Sequence, residues 1–291
     1  MIKCCFGFFA CLGVLLAGSD ALAWGPGVHL VTGNFILDNL SLLTPFLSQL
    51  LSANRMSFLY GCLSADIFLG KGFKITPDHC HNWDNGVKLL HNAGGDPHLA
   101  AYAYGYLCHL AADTVAHNYY VPTLLQKTPG SGKLSHVYIE MQADRLAGCC
   151  FREAEVIVQL SDRCQDASLC SVLRKPRLEF SVKKKLFQGS LAMYRFKHWK
   201  SSLSFIDRAL PLASGNGYLL DMLDLSSSVM VDVLNNPERA VSLDYDPMGF
   251  KNLARVRRQR RSNRFLRHSR RVENLDFQPD RQLLRLKARL N

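Results

Sequence analysis

The sequence has few alternating apolar and polar stretches and few hairpin-type turns, which excludes a β-sandwich or barrel and leaves an all-α fold. It has no Cys-x-x-Cys pair, so a thiolate-clamped structural zinc is excluded as well. The apolar run from Cys4 to Ala17 falls short of the roughly 20 residues a bilayer-spanning helix needs. With Lys3 before it and Ala21-Leu-Ala23 after it, that run reads as a secretory signal over residues 1–23, cleaved before Trp24 into a periplasmic or secreted protein. A lipoprotein would need Cys where Trp24 stands. No acid occurs among the nine arginines between Arg255 and Arg271, so the formal net charge of +11 is largely a property of that segment.

What is present is a helix-forming chain of 291 residues, 48% hydrophobic, enough for one main domain with an appendage. Its organising stretch is Tyr104 to His117, where His109, Asp113 and His117 recur at every fourth residue. At about 100° per residue these side chains share one helical face. Leu107, Leu110, Ala111, Val115 and Ala116 supply core on the other faces. Ionisable groups among so many apolar neighbours need a partner of opposite or electrophilic character.

Similar donors gather elsewhere in the first 120 residues after Ala23. Trp24-Gly-Pro-Gly-Val-His29 opens a helical pattern that runs on through Val31, Phe35, Ile36, Leu40 and Leu43. A second apolar-periodic segment, 48–68, carries Asp66 near its end. A breaker-rich loop, 70–86, holds His79 and His81, of which His81 or His79 is the candidate donor. His136 and Glu140 form another pair four residues apart within Ser135–Arg145. Residues 97–126 are expected as a central helix with Pro97 in its first turn. Further helices are expected at 153–160, 178–199, 201–212 and 219–234. The set Trp24, His29, Asp66, His81, His109, Asp113, His117, His136 and Glu140 mixes imidazoles with carboxylates, which suits zinc in a site with open positions.

His109-Leu-Ala-Ala-Asp113-Thr-Val-Ala-His117 resembles a motif of the zinc-dependent phospholipase C family, specifically that of the amino-terminal domain of glycosylphosphatidylinositol-specific phospholipase D. Gly61 to Asp66, His81-Asn-Trp83 and His136-x-x-x-Glu140 support the resemblance, which runs from about Trp24 to Asp144. Ala65 departs from it, standing where the family often has Pro. The resemblance implies a multi-helix domain over 24–246 that holds two to three zinc ions and cleaves the glycerol–phosphate bond of phospholipids. It places Asp66, His81, His109 and Asp113 at one zinc, and His117, His136 and Glu140 at a second. The amine and carbonyl of Trp24 would join His29 and a bridging Asp113 at a third. Asp66 is then the candidate to align or deprotonate the attacking water. Single-strand-specific zinc nucleases share the Trp24 to His29 spacing and form the alternative, as does a non-catalytic relative that binds metal or lipid.

The segment 247–291 is expected to be an Arg-rich tail with a last helix near 280–290. The expected partner is a phospholipid or membrane surface, with anionic lipid or nucleic acid as further contacts of the arginines from Arg255 to Arg271. Phe68, Lys71, Phe73, Lys74, Trp83, Tyr119 and Tyr120 are read either as a head-group pocket or as ordinary packing. Cys62, Cys80 and Cys108 are expected as small buried residues, and Cys149 or Cys150 as bridging to Cys164 or Cys170.

Overall fold

A computed structural model describes residues 24–68, 78–128, 132–148, 151–193, 216–265 and 275–287, and only helices and turns occur among them. The chain begins with α1 (Pro26–Asp38), a 3-10 turn at Leu40–Leu42, α2 (Pro45–Ala53) and α3 (Arg55–Ser64). Pro26 and Pro45 occupy first-turn positions, where a missing N–H costs nothing. Asn54 divides α2 from α3. A 3-10 turn at Ala65–Phe68 ends this run and holds Asp66. After α4 (Trp83–His91) comes α5 (Pro97–Val115), a helix that is buried around most of its length. Asp96 caps α5 by accepting from the N–H groups of His98 at 2.8 Å and Leu99 at 3.1 Å.

The path of α5 is fixed by α3, α4 and α11 (Asn216–Asn235), on which it chiefly packs. At the crossing with α3 the backbones nearly touch. A Cβ on Gly61 would lie 2.1 Å from the Tyr102 carbonyl oxygen, and one on Gly105 would lie 1.9 Å from that of Phe58. Only glycine at both positions permits this approach, which sets Asp66 at the end of α3 against the donor face of α5. Leu107 and Leu110 are fully buried on α5, each worth about 1.5–3 kcal/mol of transfer free energy.

α5 does not continue as a regular helix. Residues Ala116–Tyr120 form a π turn, followed by α6 (Val121–Leu125). Pro122 has no N–H to return to the Asn118 carbonyl, and that oxygen instead accepts from Asn252 Nδ2 at 3.0 Å. The Val121 N–H reaches back five residues to the Ala116 carbonyl. His117 therefore sits in a widened turn.

The chain then forms α7 (Gly132–Leu146), α8 (Phe151–Leu160), α9 (Arg163–Val172) and α10 (Arg177–Met193). The expected helix at 201–212 lies outside the described residues, as do the expected signal at 1–23 and Lys71, Phe73 and Lys74. Cys164 and Cys170 are free thiols, so the expected bridges to them are not made, and Cys149 and Cys150 lie outside the described residues.

The arginine-rich segment is more ordered than the polar tail expected of it. Residues Phe250–Phe265 form α12, which packs on the π turn and α6 through Leu253 and Val256. Arg260 donates to the Leu125 carbonyl at 2.8 Å, closing the end of α6. A short α13 (Arg281–Lys287) lies against α11, where a last helix was expected. None of the described helices is long and apolar enough to cross a membrane.

Candidate metal centre

Five of the expected donors converge at the middle of the molecule. His29 comes from α1, Asp66 from the turn after α3, His81 from the turn before α4, and His109 with Asp113 from α5. All five are at most 2% exposed. Asp113 lies at the centre, with Oδ1 3.2 Å from His29 Nε2 and Oδ2 3.2 Å from His81 Nε2 and 3.3 Å from His109 Nε2. Asp66 Oδ1 is 3.4 Å from His81 Nε2 and 3.6 Å from His109 Nε2. The rings of His29 and His109 stack at 3.9 Å between centroids.

Outer contacts orient these rings. The Nδ1 of His109 lies 2.9 Å from the Cys62 carbonyl, an acceptor only, so Nδ1 carries the proton and the Nε2 lone pair faces the cluster. His79 is a support for the His81 turn, its Nδ1 accepting the His81 N–H at 3.0 Å while its carbonyl accepts from Asn85 at 2.9 Å. Of the two loop histidines, His81 is thus the one turned toward Asp66 and Asp113. Cys80 is buried with its Sγ 3.2 Å from His81 Nδ1, on the ring edge away from the carboxylates. Cys62 and Cys108 are buried, and burial pushes both thiols up.

A second group lies close by. His117 and His136 meet edge-on with ring centroids 5.7 Å apart, and His136 Nε2 is 2.9 Å from Glu140 Oε1. Trp24 is fully buried, with its indole donating to Ser226 Oγ at 3.3 Å and its ring 4.6 Å from Tyr120. Those contacts fix its side chain between α11 and the turn before α6. The aromatic residues considered for a head-group pocket also have packing partners. Phe68 meets Phe180, Tyr120 stacks on Tyr218, and Trp83 donates to the Tyr245 carbonyl.

The proximity of these groups does not satisfy their hydrogen-bonding capacity. His29 Nε2, Asp66 Oδ2, both oxygens of Asp113, both ring nitrogens of His117 and His136, and Glu140 Oε1 are buried without a hydrogen-bond partner. So many orphaned polar atoms pointing at one another would be prohibitive unless a cation stands between them. His29, Asp66 and His109 present donor atoms all within 4.8 Å of one another, and so do His81, His109 and Asp113. Nitrogen and carboxylate donors without paired thiolates fit zinc.

The electrostatics agree. Burial works to raise the Asp113 carboxyl, but His109, His29 and His81 outweigh it and hold the group well below the usual carboxylate range. Burial lowers His117 strongly and lowers His29, so both are neutral at neutral pH, the form in which an imidazole can donate to a metal. Burial also works to lower His81 and His109, yet both are raised, His81 by Cys80, Asp113 and Asp66, and His109 by Asp113 and Asp66. Glu140 is pushed up to about 7 by burial, against the pull of His136.

One buried carboxylate in this region was not foreseen. Asp144 continues the spacing of His136 and Glu140 by a further four residues on α7, and the same every-fourth-residue pattern that marks His109 to His117 would have found it.

An all-helical domain built around buried imidazoles and carboxylates defines a metal-dependent hydrolase of phosphate esters. The chain belongs to the zinc-dependent phospholipase C family, whose model, described as zinc dependent phospholipase C, it matches over residues 28–192, more than half of its length. No curated protein and no solved structure matches it. The protein is a zinc-dependent phosphodiester hydrolase.

Proposed function

We propose that this protein is a phospholipase C that cleaves the glycerol–phosphate bond of phospholipids with two to three bound zinc ions. The observation that carries the reading is the set of buried nitrogen and oxygen donors around Asp113 that satisfy no hydrogen bonds of their own. Asp66, His81, His109 and Asp113 would hold one ion, and His117, His136 and Glu140 a second. His29, the other oxygen of Asp113 and the amine and carbonyl of Trp24 would hold the third. The split of Asp113 between His29 and the His81/His109 pair supports its part in both places. Zinc supplies Lewis acidity toward phosphoryl oxygens and acidifies water.

The protein's own groups do the rest. Asp66 keeps its Oδ2 unengaged, and this oxygen would align or deprotonate the attacking water. The apolar walls of α3 and α5 exclude bulk water and strengthen every charge interaction inside. Removal of residues 1–23 on export supplies the Trp24 amine, which binds metal only when neutral. Residues 24–246 carry all the donors, and α12, within 247–291, packs on the turn that holds His117.

The exposed face of α12 is the proposed contact with anionic lipid. Phe250, Ala254, Arg257, Arg258 and Arg261 line a surface groove of about 470 Å³ there. Arginines over an apolar floor match a phosphate head group above acyl chain.

The deciding experiment is elemental analysis of the chain beginning at Trp24, together with assays on phosphatidylcholine vesicles, a chromogenic phosphocholine ester and single-stranded DNA. Bound zinc with release of phosphocholine is expected. Zinc-dependent cleavage of DNA without lipid turnover would replace this reading with a nuclease, and zinc without either activity would reduce it to a binding protein.

A further inference from the structure

Helix α7 carries three acceptor or donor groups at four-residue intervals, and the third, Asp144, has no place among the zinc donors assigned above. It is 1% exposed. Its Oδ1 accepts the Val28 N–H at 2.8 Å. The other oxygen, Oδ2, is buried and has no hydrogen-bond partner. It lies against Gly25, where a Cβ would come within 2.1 Å of it. One carboxylate thus fills the first turn of α1, the turn that begins next to Trp24 and leads directly into His29.

A buried carboxylate with one oxygen unengaged is costly, and the nearby acids Glu140 and Asp66 add to that cost. A donor is missing on the Gly25 side. An α-amine on Trp24 supplies one, because an amine that gives its lone pair to a metal keeps two N–H groups. Carboxylates that accept from a metal-bound nitrogen fix its direction and raise its basicity. The Val28 N–H already holds the carboxylate in position for that role, with its other oxygen beside Gly25.

We propose that Asp144 is the positioning residue of the third zinc site: it fastens the turn from Trp24 to His29 onto α7, and its free oxygen accepts a hydrogen bond from the Trp24 amine that leader removal creates. This inference rests on the reading that Trp24 and His29 hold a metal.

The test uses the full chain in two forms, one beginning at Trp24 and one with a short extension before it, each as wild type, Asp144→Asn and Gly25→Ala. The asparagine keeps an acceptor for Val28 but turns an N–H donor toward the amine. Gly25→Ala keeps the carboxylate and pushes it aside, which guards against a result due only to misfolding. In the Trp24 form, both variants are expected to hold about one zinc fewer per chain and to show kcat on the soluble ester lower by about 10–100-fold. KM is expected to change little, and circular dichroism to match wild type. In the extended form, where the amine is absent, Asp144→Asn should leave zinc content at the level of the extended wild type. The inference is overturned if Asp144→Asn keeps full zinc and kcat in the Trp24 form, or if it lowers zinc equally in both forms. A wild-type Trp24 form that binds no zinc would overturn the metal reading itself, and this inference with it.

Discussion

Helices α5 and α12 each concentrate one kind of chemistry, yet they treat it in opposite ways. α5 buries His109 and Asp113 among Leu107, Leu110 and Val115, all at 0–1% exposure, and leaves their polar atoms pointing at other donors. Among its described side chains α12 buries Leu253 and Val256 and keeps Arg258 and Arg261 in solvent. A charge in water needs no explanation, whereas a charge in the core implies a counter-charge. Two buried ionisable residues in α5 therefore carry a strong statement about ligands, and many solvated ones in α12 a weaker statement about surfaces.

The sharpest way to break this contrast is at Asp113. Asp113→Ala should lose zinc and lower kcat by more than about 100-fold, beyond what loss of an outer-shell partner costs, because two metal positions would lose a shared donor. Metal content by emission spectroscopy and turnover of the soluble ester check this, and a variant with full zinc would overturn the bridging role.

At α12 the expected effect is on adsorption alone. Replacing Arg257, Arg258 and Arg261 by Gln should weaken partition onto phosphatidylglycerol vesicles by about 100-fold, at about 1 kcal/mol per arginine. Turnover of the soluble ester should stay at the wild-type rate. Sedimentation with anionic and neutral vesicles at low and high salt separates the cases, and equal binding to neutral vesicles would remove the arginine face from the account.

The smallest effect is one of pH on the metal-free chain, which should melt at lower temperature as pH rises from about 6.5 to about 8. In that window the folded state still holds protons on Glu140, raised to about 7, and Asp144, raised to about 8 by burial, with Glu140 and Asp66 adding to it. The unfolded chain released those protons near pH 4, so it binds fewer and folding loses ground as pH climbs. His81 and His109, both raised, act in the same direction, while His29 and His117, both lowered, act only below about 6.5. Zinc displaces the same protons, so its stabilising effect should grow over this window. Calorimetry of metal-free and zinc-loaded protein measures both, and a flat metal-free profile would show that these groups do not titrate as their burial requires.

Much of the site was legible because its chemistry is periodic. His109, Asp113 and His117 declare themselves by spacing, and Pro97 marks a helix start that the structure contains. What sequence could not show was the angle of His117, since the π turn depends on Pro122 and on Asn252, which lies 134 residues from Asn118. Helix α9 was missed because it buries little beyond Gln165, Leu169 and Cys170 and so leaves a faint apolar stripe, although its capping box at Asp162 and Gln165 was available to be read. The order of α12 was hidden for a similar reason, with two apolar anchors among many arginines. Asp144 was visible but silent, because a carboxylate on a helix is ordinary until Val28 and Gly25 are seen beside it.

The carbonyl freed by Pro122 is braced by Asn252, a residue outside the stretch that the family shares. Gly249 packs against the backbone of His117 from the same side. A fragment trimmed to residues 28–192 would keep His117 but lose the Asn252 side chain that donates to the Asn118 carbonyl of its turn. Support for the His117 turn therefore extends beyond the matched stretch, and the arginine helix serves it as scaffolding, whatever surface it meets.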